Sequence, residues 1–263
     1  MHAALQHPVR RIAPLREAWS RCATAAPPPV GVAWPTDYAN QVSTLTEPLR
    51  IDVISDVVCP WCYIGKRRLD AALACRAADA PAVVRWHPFQ LNAELPRGGA
   101  ERRTYLEQKF GGAQAVADMQ QRIETIGREV GIWFEFARIQ RQPNTLDAHR
   151  LIAWAQRIDA VRTSRLIEDL FRAYFTQGVD IGNIEELARV AGQSGFDSYR
   201  ASAMLSGGEG RVTVAAADQR LRDMGVGGVP FFIFNQRVAV SGAQPAKVLL
   251  DAMLQSEVAV VSR

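Results

Sequence analysis

The chain has 263 residues, of which 48% are hydrophobic and 22% charged. That excludes wholesale disorder and supplies a sizeable core for one large domain or two small ones. The net charge is +4 and the pI about 9.1, but Lys66, Lys109 and Lys247 are the only lysines among 31 basic residues. The arginines lie scattered among acids, as in Arg165-Leu166-Ile167-Glu168-Asp169, which argues against a nucleic-acid surface, since such surfaces are marked by clustering.

No apolar run approaches the roughly 18 residues of a membrane span, so no membrane partner is expected. Arg10, Arg11, Arg16 and Arg21 interrupt any signal-peptide core, and a cytoplasmic location follows as the expectation. The four cysteines, Cys22, Cys59, Cys62 and Cys75, do not suggest a disulfide framework in a core this large. Residues 1–48 carry Pro27-Pro28-Pro29 and little hydrophobic periodicity. They read as a disordered leader, with an Arg-rich targeting sequence and a start further downstream as alternatives.

Leu49–Ser55 reads as a buried strand, and Pro60–Ala78 as a helix with Pro60 at its first position, where a missing N–H costs nothing. Pro81 breaks the chain, and 83–89 is a second strand of β-branched and aromatic residues. A helical crossover of this length joins parallel neighbours. Arg102–Phe110 and Ala113–Val130 read as helices, the second ended by Gly131, and 132–139 as an irregular link. Asn144 is placed to cap a helix whose apolar face is Ala148, Leu151, Ile152, Ala155 and Ile158. Another helix carries Ile167, Leu170, Phe171 and Tyr174, and Asn183 with Glu186 forms a capping box for the next. Two more follow, over 196–205 and 209–224. Strands at 230–234 and 237–240, joined by Asn235-Gln236, make an antiparallel hairpin, and 244–254 closes the chain as a helix. The fold class is therefore α/β: a thioredoxin fold with an inserted all-helical domain. Its core is expected over 49–90 and 211–256 and the helical insertion over 91–210.

The chemistry is expected at Cys59-Pro60-Trp61-Cys62, at the turn from strand to helix. There the unpaired N–H groups and the positive dipole end stabilise a thiolate. Cys59, at the N-cap, is expected to be exposed and nucleophilic. Cys62, one turn on, is expected to be buried and to resolve a mixed disulfide. A metal reading needs four ligands, and the second pair is missing, so no metal is expected. Cys75 is expected to be a helix-core thiol. Far along the chain, Gly225-Val226-Gly227-Gly228-Val229-Pro230 precedes a strand. In thioredoxin-like folds, which this element order resembles, a cis-Pro at the start of this strand faces the Cys pair, so a cis Val229–Pro230 bond is expected there, with the glycines permitting close approach.

These segments resemble the DsbA family of thioredoxin-fold oxidoreductases, in its cytoplasmic FrnE-like branch. The matching stretches are 56–65, Trp86-His87-Pro88-Phe89-Gln90-Leu91-Asn92, Pro143-Asn144-Thr145-Leu146-Asp147-Ala148-His149-Arg150, 170–175, Gly228-Val229-Pro230-Phe231-Phe232 and 241–245. The resemblance spans about 49–255. It implies thiol–disulfide exchange on protein or small-molecule thiols, with Cys59 attacking and Cys62 resolving. It implies no cofactor, apart from glutathione as a possible co-substrate. Val229 and Pro230 are implied to bind the substrate backbone beside Pro60 and Trp61, and Asn144 and His149 to line the pocket. Read from its helix alone, His149 is equally a surface histidine. His87 has no identified partner, and Asp56 is expected to bond the turn, with tuning of proton transfer as the alternative. Two competing readings remain. One is a kappa-class glutathione transferase or hydroxychromene-carboxylate isomerase, in which a Ser typically stands where Cys59 does. The other is a peptide-binding chaperone without redox turnover.

Overall fold

The computed structural model describes residues 47–76 and 80–258. The expectations for the leader and for Cys22 lie outside them. Strand β1 (Leu49–Ser55) is followed by helix α1 (Pro60–Ala74) and strand β2 (Ala82–Pro88). β1 and β2 pair in parallel, from Leu49 opposite Ala82 to Ser55 opposite Pro88. The chain returns to the sheet with β5 (Phe231–Phe234) and β6 (Val238–Ser241), giving the order β2-β1-β5-β6 with both later pairings antiparallel. The hairpin connection is three residues, 235–237, rather than the two expected, because Phe234 pairs with Val238; within it Asn235 (φ 49°) and Gln236 (φ 58°) take left-handed backbone. The last helix, α9 (Ala246–Val258), packs against α1. β1 is central and buried, with Leu49, Ile51, Val53 and Ile54 in the core. β2 is an edge strand, and its backbone at Trp86 is covered by the Gln156 amide, which accepts from the Trp86 N–H at 2.7 Å and donates to its carbonyl at 3.0 Å.

Between β2 and β5 lie helices α2 (Arg102–Phe110), α3 (Ala113–Glu129), α4 (Leu146–Ile158), α5 (Ala160–Gln177), α6 (Ile184–Gln193), α7 (Ser198–Ser206) and α8 (Arg211–Asp223). A two-residue ladder of β3 (Ala100–Glu101) with β4 (Arg141–Gln142), which periodicity did not indicate, ties the ends of the first helical pair. The caps follow local chemistry. The Glu101 carboxylate accepts the N–H groups of Arg103 and Thr104, Asn183 accepts from Glu186, and Gly111 and Gly178 end their helices in left-handed backbone. The helices pack on the sheet edge and on α1. α4, α5 and α8 contact β2, and Tyr63 of α1 stacks on Phe171 of α5 with ring centroids 5.0 Å apart, within an aromatic cluster that adds Phe134, Phe136 and Phe175. A partly buried charge network reinforces this seam. Glu168 of α5 accepts from the Tyr63 hydroxyl and from Arg67, each at 2.7 Å, and lies 3.2 Å from the buried Lys66 ammonium. Burial of its ring pushes the Tyr63 phenol up to about 12, the Arg67 hydrogen bond working against it.

Candidate active site

β1 ends at Ser55, and the chain turns into α1 at Cys59, which has extended backbone (φ −92°, ψ 113°) and is the N-cap. Pro60 occupies the first helical position, so the turn gives up no N–H. The Cys59 N–H donates to the Asp56 carbonyl at 3.0 Å, and the Cys62 and Tyr63 N–H groups close the first turn on the Cys59 carbonyl. Both cysteines are free thiols. Cys59 is buried rather than exposed, with only 4% of its surface accessible. The physical reason is long-range: the Val229 carbonyl lies over its sulfur, accepting from the Cys59 Sγ–H at 3.7 Å. Pro60 and Trp61, partly exposed, flank it.

Cys62 is fully buried. Burial raises its pKa well above the ordinary thiol value; the bond it makes to Cys59 and the charge on Cys59 raise it further, while Ser55 and the Asp56 backbone N–H work the other way. Cys62 therefore keeps its proton at neutral pH. Its burial matches the expectation from helix position, whereas the expected exposure of Cys59 is not found. Cys75, expected as a helix-core thiol, is the partly buried C-cap of α1.

The opposite wall is Val229-Pro230, joined by a cis bond as expected and placed directly before β5. Antiparallel pairing sets Phe231 opposite Ile54, which brings the preceding two residues alongside the Cys59 turn. The close approach is made from the other side than expected. A Cβ on Gly227 or Gly228 would meet nothing within 4 Å, whereas one on Gly65 of α1 would stand 2.9 Å from Pro230 Cγ. Gly225 is needed for a different reason, its left-handed φ of 87°.

The remaining predicted residues lie behind this pair. Asn144 accepts from the Leu146 N–H at 3.0 Å and donates to the Leu95 carbonyl at 2.7 Å, while Gln90 donates to its oxygen at 3.3 Å. It thus takes the first N–H of α4 from one residue before the N-cap, which is Thr145 and not Asn144 as expected, and braces the loop after β2. His149 is buried, not a surface histidine, because nearly every face of α4 is covered. Its Nε2 lies 3.3 Å from Asp56 Oδ1, close enough for an ion pair but not aligned for a hydrogen bond. Asp56 does bond the turn: besides its carbonyl's role, its Oδ2 accepts the Leu91 N–H at 2.8 Å. His87 has a partner after all, Asp52 Oδ1 at 2.8 Å across the two parallel strands. Sequence reasoning missed Arg150, which is buried and donates to the carbonyls of Met204, Leu205, Gly207 and Glu209 and to Asp147. It gathers the free C-terminal carbonyls of α7 onto α4. Among the described residues, no group of three or more His, Cys, Asp or Glu side chains is arranged to hold a metal. No helix there is long and apolar enough to cross a membrane.

Comparison with known proteins places this architecture. The structure of the "probable DsbA oxidoreductase" from Streptomyces coelicolor superposes with a TM-score of 0.71 at 28% identity, covering 82% of this chain and 91% of that one. A 2-hydroxychromene-2-carboxylate isomerase superposes with a TM-score of 0.60 at 14% identity, over 81% of this chain and all of that one; at such identity only the fold is shared. The uncharacterised protein YwbO of Bacillus subtilis (strain 168) is 23% identical over 201 residues, 74% of this chain and 91% of its own length. The family model of the DSBA-like thioredoxin domain matches residues 50–254, and the chain belongs to that family.

Proposed function

We propose that this chain is a protein disulfide oxidoreductase of the FrnE-like branch, working through Cys59-Pro60-Trp61-Cys62. The observation that carries the reading is the asymmetry of the pair: two free thiols one helical turn apart, with Cys62 buried and holding its proton, and Cys59 under the Val229 carbonyl. In the reductive direction the Cys59 thiolate attacks a substrate disulfide and one substrate sulfur leaves as thiolate. Cys62 then loses its proton and attacks Cys59 Sγ. The Cys59–Cys62 disulfide forms as the second substrate sulfur departs, and two electrons have passed from protein to substrate. Oxidation of a dithiol is the reverse. The Val229 backbone and Pro230 hold an extended substrate segment against the sulfur, with Pro60 and Trp61 beneath it and the Asn144 and His149 end of α4 behind. The partners are protein or small-molecule thiols and disulfides in the cytoplasm, with glutathione as co-substrate and no other cofactor. The insertion over 91–210 acts as a lid on the core of 49–90 and 211–256.

The test is insulin reduction with a thiol donor, followed by dithiol oxidation. The wild-type protein is expected to catalyse one of these and Cys59→Ser neither. Persistence of activity in that variant overturns the mechanism. The isomerase neighbour marks the competing reading, glutathione-dependent isomerisation or transfer. That reading predicts turnover with glutathione that survives Cys62→Ser, whereas exchange loses its resolving thiol. A chaperone without redox turnover predicts that Cys59→Ser keeps full function in cells. Titration of the Cys59–Cys62 pair against glutathione fixes the direction of electron flow.

A further inference from the structure

Exchange requires the Cys59 sulfur to meet a substrate sulfur, yet only 4% of this residue's surface is accessible. The Val229 carbonyl covers it, accepting from the Cys59 Sγ–H at 3.7 Å. A thiol is a weak donor, but among the described residues no other hydrogen bond reaches that carbonyl. The chain is tied on either side of it. The Val226 N–H donates to the Leu221 carbonyl at 3.0 Å, and the Pro230 carbonyl accepts from the Gly242 N–H at 2.8 Å. Between these ties, Gly227 and Gly228 lie in open space, since a Cβ on either would meet nothing within 4 Å. The carbonyl therefore stands between two glycines with room to turn and a proline held in place.

We infer that this contact is a latch closed by the proton on Cys59. As a thiol, Cys59 donates to the carbonyl and is covered by it. As a thiolate, or joined to Cys62 in the disulfide, it has no proton to donate, and a thiolate and a carbonyl oxygen repel one another. The segment then turns on Gly227 and Gly228 and tilts the carbonyl off the sulfur, while Pro230 keeps its place against Gly65. The freed carbonyl accepts an N–H of an extended substrate, and the uncovered sulfur meets the substrate's. The Cys59 proton leaves to solvent, and opening changes no covalent bond besides S–H. The latch rests on the exchange reading above and adds that the Cys59 thiol and the substrate backbone compete for one carbonyl. The coupling is reciprocal: a segment that takes the carbonyl favours ionisation of Cys59 by the same factor by which ionisation favours its binding. The Val229 segment carries no charge of its own. Around Cys59 stand Cys62 on the same helix and Asp56 in the turn, with His149 of α4 3.3 Å from its carboxylate. Arg222 of α8 is held by Asp218, and His87 by Asp52 on the sheet. On the helices packed against α1, Glu168 of α5 pairs with Lys66 and Arg67, Glu129 of α3 with Arg68, and Glu257 of α9 with Arg76, while Lys247 and Asp251 of α9 pair with each other. Substitutions at Cys59 keep all of these, so a pH dependence that such variants lack belongs to Cys59.

The test is binding of a blocked, fluorescein-labelled peptide without cysteine, Gly-Val-Ser-Val-Gly, followed by anisotropy. Cys59→Ser keeps a donor that does not ionise, and Cys59→Ala has none. Cys59→Ala and the oxidised wild-type protein are expected to bind the peptide about tenfold more tightly than Cys59→Ser, each by an affinity that moves less than about twofold from mildly acidic to mildly alkaline pH. Reduced wild-type protein is expected to pass from the weak to the tight value as Cys59 ionises. Its comparison with the oxidised form needs no substitution. Equal affinity in reduced and oxidised wild-type protein at acidic pH, equal affinity in Cys59→Ser and Cys59→Ala, or the same pH dependence in Cys59→Ala as in reduced wild type, overturns the latch. A peptide bound by none of these forms overturns Val229 as the wall that holds a substrate backbone, and the latch with it. Binding as expected without insulin reduction or dithiol oxidation overturns the exchange reading instead, so the two failures are distinct.

Discussion

Gly65→Ala sets two opposed effects against each other at the seam between the redox helix and the Val229-Pro230 wall. In a helix interior, Ala is worth about 1 kcal/mol over Gly, so propensity alone predicts stabilisation. The new methyl would stand 2.9 Å from Pro230 Cγ, 3.4 Å from Pro230 Cβ and 3.2 Å from Phe232 Cζ. The proline ring has no rotamer into which to retreat, and Phe232 is fully buried. Overpacking of this kind costs about 1–3 kcal/mol. The expected balance is a destabilisation of about 1 kcal/mol, read as a lower urea midpoint at unchanged slope. Relief comes by moving α1 and the Val229-Pro230 segment apart, which lengthens the 3.7 Å approach of Cys59 Sγ to the Val229 carbonyl. Exchange activity should therefore fall further than the stability loss explains. Gly228→Ala, whose methyl meets nothing within 4 Å, is the stability control and should lie within about 0.5 kcal/mol of wild type. A Gly65→Ala protein that is at least as stable and as active as wild type would refute the reasoning.

Two further outcomes follow from buried groups other than the cysteines. The Tyr63 phenol is raised from its ordinary value of 10.0 to about 12, so the folded state favours the protonated form. Its contribution to stability is complete below pH 10 and is lost as pH rises from there through about 12. Tyr63→Phe should therefore lose stability less steeply over that range, measured as urea midpoint against pH; an identical slope would contradict the assignment. Arg150→Leu leaves Asp147 with a lost partner and strands four carbonyls at the end of α7 and beyond it. A cost of about 3–5 kcal/mol in denaturant unfolding is expected, and a cost under about 1 kcal/mol would show that solvent reaches those carbonyls.

Much of the site was legible because its signals are local. The apolar run 49–55, the proline after Cys59 and the capping pair Asn183–Glu186 each act within a few residues, and each appears where expected. What escaped depends on which elements meet. Cys59 reads as exposed from its N-cap position, and only a carbonyl 170 residues away in sequence covers it. His149 flanks the apolar stripe of its helix and reads as peripheral, yet α4 is enclosed by β2, α5 and α8, which buries its flanks too. Asp52 and His87 stand on strands whose parallel register brings them together, a pairing that no single-strand pattern encodes. The glycines before Pro230 cluster in the sequence, but the close contact with Pro230 is made by the single Gly65 within a helix.

The central claim is that Cys59 is the attacking sulfur and Cys62 the one that resolves. Cys62→Ser incubated with a disulfide-containing protein or oxidised glutathione tests it directly, by intact mass and peptide mapping. The account predicts a stable mixed disulfide on Cys59 that Cys59→Ser cannot form and that wild-type protein releases. Absence of the adduct, or an adduct mapped to Cys62 in the Cys59→Ser protein at an equal rate, would contradict it.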